Sequence, residues 1–193
     1  MGGTEGNARL TAATAALLLV LLAGEGATIP FIRQLITPHV LIGLLLVPPV
    51  LLKVASTGWR FVQYYRGDPD YVAKGPPHPF LRLLVAPLVV VSTLTLFGSG
   101  IVLALEHPRG GLVLGLHKAS FVIWFVSMSV HVLAHLRTVL RWLVGALPRL
   151  VPGGSFRRAV VAAALAIGIA VAVAGLPAAH AWSHWTAQRH FDH

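Results

Sequence analysis

Five apolar runs dominate the chain, at residues 10–32, 38–57, 81–105, 112–142 and 158–176, each close to or beyond the length a helix needs to cross a bilayer. In hydrocarbon every backbone N–H and C=O must be satisfied within the segment, so such runs fold as helices. The chain is therefore expected to be an all-α integral membrane protein of about five transmembrane helices, a single membrane domain over 1–193. A composition that is 56% hydrophobic and 11% charged agrees, lying well outside the soluble range.

The formal charge of +9 does not point to nucleic acid, because Lys and Arg fall in short connections between the runs rather than in one patch. Arg9, Arg60, Arg66, Lys74, Arg82, Arg137, Arg141, Arg149, Arg157 and Arg158 fall on one side of a five-span arrangement, and Arg33, Arg109, Lys118 and Arg189 on the other. Positive charge concentrates in the cytoplasm, which places the N-terminus inside and the C-terminus outside the cytoplasmic membrane. Zero cysteines exclude disulfides, thiolate-bound zinc, iron–sulfur clusters and covalently attached haem.

Taken in order, residues 1–9 read as disordered or interfacial. The run from Leu10 to Ala23 resembles a signal-peptide core, but Gly24-Glu25-Gly26 makes a poor cleavage site and the positive flank is weak, so it reads as an uncleaved first span. Pro48-Pro49 is expected to kink the second span. Gly58 to Arg82, with Trp59, Arg60, Tyr64, Tyr65 and Gly67-Asp68-Pro69, reads as an interfacial loop. The tail after Leu176 is rich in histidine and aromatics. It is expected to be frayed or interfacial, with His180 and His184 as an i,i+4 pair and His190 and His193 beyond; a metal site there is the minor alternative.

The fourth run carries three imidazoles, His117, His131 and His135. On a helix His117 and His131 stand about 40° apart in azimuth and roughly 21 Å apart along the axis, so one face offers a nitrogen ligand near each side of the bilayer. Ionisable groups inside a span are expensive and mark function by default. Imidazole is also the usual protein ligand of haem iron. The second span is parallel to the fourth and opens at His39, which brings His39 and His117 to matched depth near the outer face. That pair is the expected axial set of an outer haem b. Gly43, Gly98 and Gly100 are expected to admit the macrocycle, and Arg33, Arg109 or Lys118 to meet its propionates. For either histidine alone, contact with water and headgroups explains its position; the pairing carries the haem reading.

The inner half is more open. His131 is placed as one ligand, and Lys53, fourteen residues after His39 as His131 is after His117, occupies the matching position on the second span. Lys53 either ligates as a neutral amine, or snorkels to the cytoplasmic headgroups or pairs with a propionate. His78 with His135 is a competing pair, and Arg82, Arg60, Tyr64 and Tyr65 are candidates for propionates or anionic lipid. Trp124, Phe121, Phe125 and Met128 line a pocket or simply pack. One haem is the safer count, with a second left open.

At His39, His117 and His131 the pattern resembles the membrane cytochrome b superfamily, of the bacterial cytochrome b561 and formate dehydrogenase or nickel–iron hydrogenase cytochrome b subunit type. There one helix bears two histidines about fourteen residues apart. Residues 53–61 and 117–125 also look like actinobacterial membrane proteins of this general kind, and the resemblance covers roughly 37–140. Lys53 stands where a second-span histidine would complete the usual inner pair. The resemblance implies a four-helix haem-binding bundle that passes electrons between the quinone pool and an extracytoplasmic redox protein or a molybdenum-type oxidoreductase subunit. It implies an electron-transfer subunit rather than a stand-alone enzyme. A transporter or haem/metal-handling protein with helices broken at Pro48-Pro49 and Pro87 is the alternative, and a cofactor-free membrane subunit is the third.

Overall fold

The structure, a computed structural model, describes residues 4–73, 75, 79–106, 111–146 and 155–188. Among the described residues it is all helix. The elements are α1 (Thr4–Thr28), α2 (Ile36–Tyr65), the short α3 (Pro69–Val72), α4 (Ala86–Glu106, entered through a π-helical turn at Leu81–Val85), α5 (Leu112–Ala146), α6 (Ser155–Ala174) and α7 (Leu176–Gln188). Five segments are long and apolar enough to cross a membrane: Gly6–Phe31, Ile36–Tyr65, Leu81–Glu106, Leu112–Ala134 and Phe156–Ala174. They match the five runs in number and order, and the protein is a multi-pass membrane protein with lipid as its surroundings. Large apolar side chains on these spans point outward, Leu112 at 78%, Val20 at 71% and Leu133 at 68% exposed, as a lipid-facing surface requires.

The interior is accordingly less apolar than the exterior. Ser92, Thr93, Ser99, Ser120 and Ser127 are buried, and each returns its hydroxyl to a carbonyl of its own helix, such as Ser92 Oγ to Leu88 O at 2.6 Å and Ser127 Oγ to Ile123 O at 2.8 Å. Small side chains that satisfy themselves let helices approach closely without an orphaned polar group.

α2 is the hub. It packs on α1, α6, α7 and α4, whereas α5 packs chiefly on α4. Two glycines make the α2–α6–α7 seam: Gly168 lies against the Leu45 carbonyl, and Gly175, at the α6–α7 joint, lies against the Leu44 side chain. α1 is tied to the C-terminal half of α2 by Asn7 Nδ2 donating to Ser56 O (3.1 Å), Thr11 Oγ1 to Ser56 Oγ (3.2 Å) and Lys53 Nζ to Thr11 O (3.0 Å).

Several local expectations are corrected. The first helix begins at Thr4 rather than after a disordered stretch, because Asn7 and Thr11 have partners on α2. α2, with Pro48 and Pro49 inside it, runs past the expected end of the second span to Tyr65, consuming the first third of the anticipated loop. Between Ser56 and Arg66, Gly58 alone disfavours helix, and α2 runs through it; the chain turns at Gly67, whose φ of +77° is left-handed, and Asp68 then caps α3 by accepting from Asp70 N at 3.0 Å. The tail is helical to Gln188, pinned by Trp182 Nε1 donating to Leu103 O at 3.0 Å and by Thr37 Oγ1 reaching Ala179 O at 3.4 Å. His78, Arg109, His190 and His193 lie outside the described residues, as do the side chains of His135 and His184.

A candidate paired-imidazole site

His39 sits in the first turn of α2 and His117 in the second turn of α5. Their ring centroids are 6.4 Å apart and their planes cross at 88°. Among the described residues α2 and α5 share no extended packing seam, so the two imidazoles reach toward each other from helices held apart by other partners.

Each ring is anchored through Nδ1. His39 Nδ1 lies 2.9 Å from Glu25 Oε1 and 3.0 Å from Thr28 Oγ1, both in the last turn of α1. The Thr28 hydroxyl gives its proton to Glu25 O at 2.6 Å, so toward His39 it accepts, and the carboxylate can only accept. Both contacts therefore call for a proton on Nδ1. His117 Nδ1 lies 3.1 Å from Leu96 O and 3.2 Å from Ser99 Oγ, on α4. Ser99 donates to Thr95 O at 2.6 Å and so accepts as well. In its neutral form each ring is thereby set in the Nδ1–H tautomer, with the lone pair on Nε2, the nitrogen then able to act as a ligand. Neither Nε2 has a hydrogen-bond partner among the described residues.

The glycines divide. Gly100 is the close one: a Cβ there would stand 3.1 Å from His117 Cε1, so the bare backbone of α4 is what lets that ring come so near. Gly43 faces Glu25, whose Oε1 would lie 3.6 Å from an added Cβ, and its space therefore opens toward α1. Gly98 meets nothing within 4 Å.

Lys53 is not brought to His131. Its ammonium turns to α1 and donates to Thr11 O, the same neighbour helix that holds His39, so the fourteen-residue interval on α2 marks the α1 face. His131 is half-buried on α5 and already engaged in an interaction. Lys118 and Arg33 are exposed. Arg82 lies in the π-helical turn at the other end of α4 from Ser99, about 25 Å away by helical rise. Its Nε is buried and, among the described residues, without a partner, as is Trp124 Nε1, two turns beyond His117.

Glu25, Thr28, Ser99 and the Leu96 carbonyl are absent from the sequence-based set. Glu25 had a signal that could have found it: a carboxylate within an apolar run is as costly as an imidazole. The site also draws on α1, which extends it upstream of residues 37–140; α1, α2, α4 and α5 together supply its four walls. No group of three or more His, Cys, Asp or Glu side chains gathers for a metal ion among the described residues. Two nitrogen ligands are what the site offers, a number suited to a metal whose other positions come with its own macrocycle.

Fold and site together define the class, an all-α multi-pass membrane protein with a pair of imidazoles oriented between its helices. Comparison with family models, characterised proteins and solved structures gave no match.

Proposed function

We propose that this protein is a membrane b-type cytochrome, with His39 and His117 as the axial ligands of one haem b near the outer face of the cytoplasmic membrane. The observation that carries the reading is the pair itself. A metal–imidazole bond of about 2 Å and a ring nitrogen about 1.1 Å from its centroid place two axial imidazoles about 6 Å apart, centre to centre. The separation in the structure is 6.4 Å. Both rings also turn Nδ1 to the protein, which leaves the Nε2 lone pair of each available to a metal.

Bound there, haem supplies one-electron ferric–ferrous chemistry. The chain's own residues do the rest. Glu25 and Thr28 hold His39, Leu96 O and Ser99 hold His117, Gly100 gives His117 its seat, and Lys118 and Arg33 bring positive charge to the outer rim for the propionates. The role that follows is electron relay between the quinone pool and an extracytoplasmic redox protein or molybdenum-type oxidoreductase subunit, with the N-terminus cytoplasmic. With Lys53 committed to α1, the reading holds to a single haem. The transport alternative leaned on helices broken at Pro48-Pro49 and Pro87, but α2 and α4 are continuous through those residues.

Titration of the purified, haem-free protein with haemin in detergent tests the proposal. One equivalent should give a low-spin b-type spectrum, and His39→Ala or His117→Ala should give at most a high-spin, five-coordinate product. Haemin bound equally well by both variants would remove the basis for the assignment.

A further inference from the structure

The two imidazoles are not held alike. The His117 Nδ1–H meets a neutral carbonyl and a hydroxyl, whereas that of His39 meets a carboxylate at 2.9 Å. The other oxygen of that carboxylate, Glu25 Oε2, is buried and without a hydrogen-bond partner among the described residues. A carboxylate in a membrane span with one oxygen unsatisfied is destabilising to the fold, and stability alone gives no reason to keep it. Gly43, one turn after His39, leaves the room the carboxylate occupies.

We infer that Glu25 is the positioning residue of His39: it fixes the Nδ1–H tautomer and sets a negative charge behind the ring, which holds the iron bound at Nε2 at low potential. The inference rests on the haem reading above. Its physical content is electrostatic. Going from ferrous to ferric adds one positive charge at the metal, and a carboxylate hydrogen-bonded to the far side of the ligand ring stabilises that charge in a low-dielectric setting. Thr28 orients the same N–H but carries no charge, so it shares the positioning and leaves the potential to Glu25. A haem held by this pair would have an electron-rich ligand in His39, backed by a carboxylate, and an ordinary one in His117, backed by a carbonyl and a hydroxyl.

Glu25→Gln keeps an acceptor at the same reach and removes the charge. Redox titration of the haem-loaded protein should show Glu25→Gln with undiminished haem content and with its preference for the ferric state reduced about tenfold or more, a rise in midpoint potential of about 59 mV per tenfold. Glu25→Ala should raise the potential as well and, having no acceptor, also weaken haem retention. A haem-replete Glu25→Gln protein with the wild-type potential would overturn the inference and leave the cytochrome reading standing. A wild-type protein that takes up no haem would overturn both. If neither variant folds, the test passes to the ¹⁵N spectrum of histidine-labelled wild-type protein before haemin is added. A protonated Nδ1 on His39 is the expected result, and the Nε2–H tautomer would overturn the inference.

Discussion

Gly100→Ala isolates the seat of His117 from the rest of the fold. The added methyl would stand 3.1 Å from His117 Cε1, tighter than most carbon contacts, so the ring must give way by a few tenths of an ångström. It cannot do so freely, because its Nδ1 is held at 3.1 Å by Leu96 O and at 3.2 Å by Ser99, both on the helix that carries the new methyl. Either the ring leaves its rotamer, at about 0.5–1.5 kcal/mol, or it loses the Nδ1 bond, at about 0.5–1.5 kcal/mol net. If both are drawn on, the loss is about 1–3 kcal/mol, and at a tenfold change per 1.4 kcal/mol haemin affinity falls by roughly 5- to 150-fold. Gly98→Ala is the matched control: it lies on the same helix, half a turn away, with nothing within 4 Å, and should leave affinity within about twofold. Haemin titration of the two variants in one detergent, with thermal unfolding of the haem-free forms alongside, makes the comparison. Equal affinities for the two would refute the claim that Gly100 seats a ligand.

Three further outcomes follow from the packing. Gly168→Ala drives a methyl into the Leu45 carbonyl, a backbone atom that cannot rotate aside, and should destabilise the α2–α6 seam by about 1–3 kcal/mol in thermal unfolding, while Gly24→Ala, with open space around it, should not. Lys53→Met removes one hydrogen bond to a carbonyl on α1; haem content should be unchanged and stability altered by no more than about 1 kcal/mol, whereas loss of haem would return Lys53 to the ligand set. If haem binds with the ring planes kept at their 88° angle, the ferric protein should show the strongly anisotropic low-spin resonance of crossed imidazole planes, and a rhombic signal of parallel planes would show that the rings turn on binding.

The spans were legible because their signal is one-dimensional: run length against bilayer thickness settles number and order without knowledge of neighbours. The run boundaries also put His39 and His117 near the starts of the second and fourth spans, and these two rings do meet. Azimuth relative to neighbours was not legible. Lys53 shares a face of α2 with His39, as fourteen residues predict, yet which helix covers that face depends on tertiary packing, and for Lys53 it is α1. Glu25 was hidden by its surroundings, since a Gly-Glu-Gly flank after a short apolar run reads as the end of a leader before it reads as a buried acid. α7 escaped because its anchor, Trp182 to Leu103 O, spans 79 residues, and nothing local distinguishes a docked amphiphilic helix from a frayed one.

The most direct test of the central claim is the reduced-minus-oxidised optical spectrum, with a pyridine haemochrome count, of protein purified from haem-replete cells, compared with His39→Ala, His117→Ala and His131→Ala. One b-type haem per chain, lost or driven high-spin by the first two substitutions and retained through the third, is the predicted result. A well-folded wild-type protein without haem, or a haem indifferent to both His39 and His117, would contradict it.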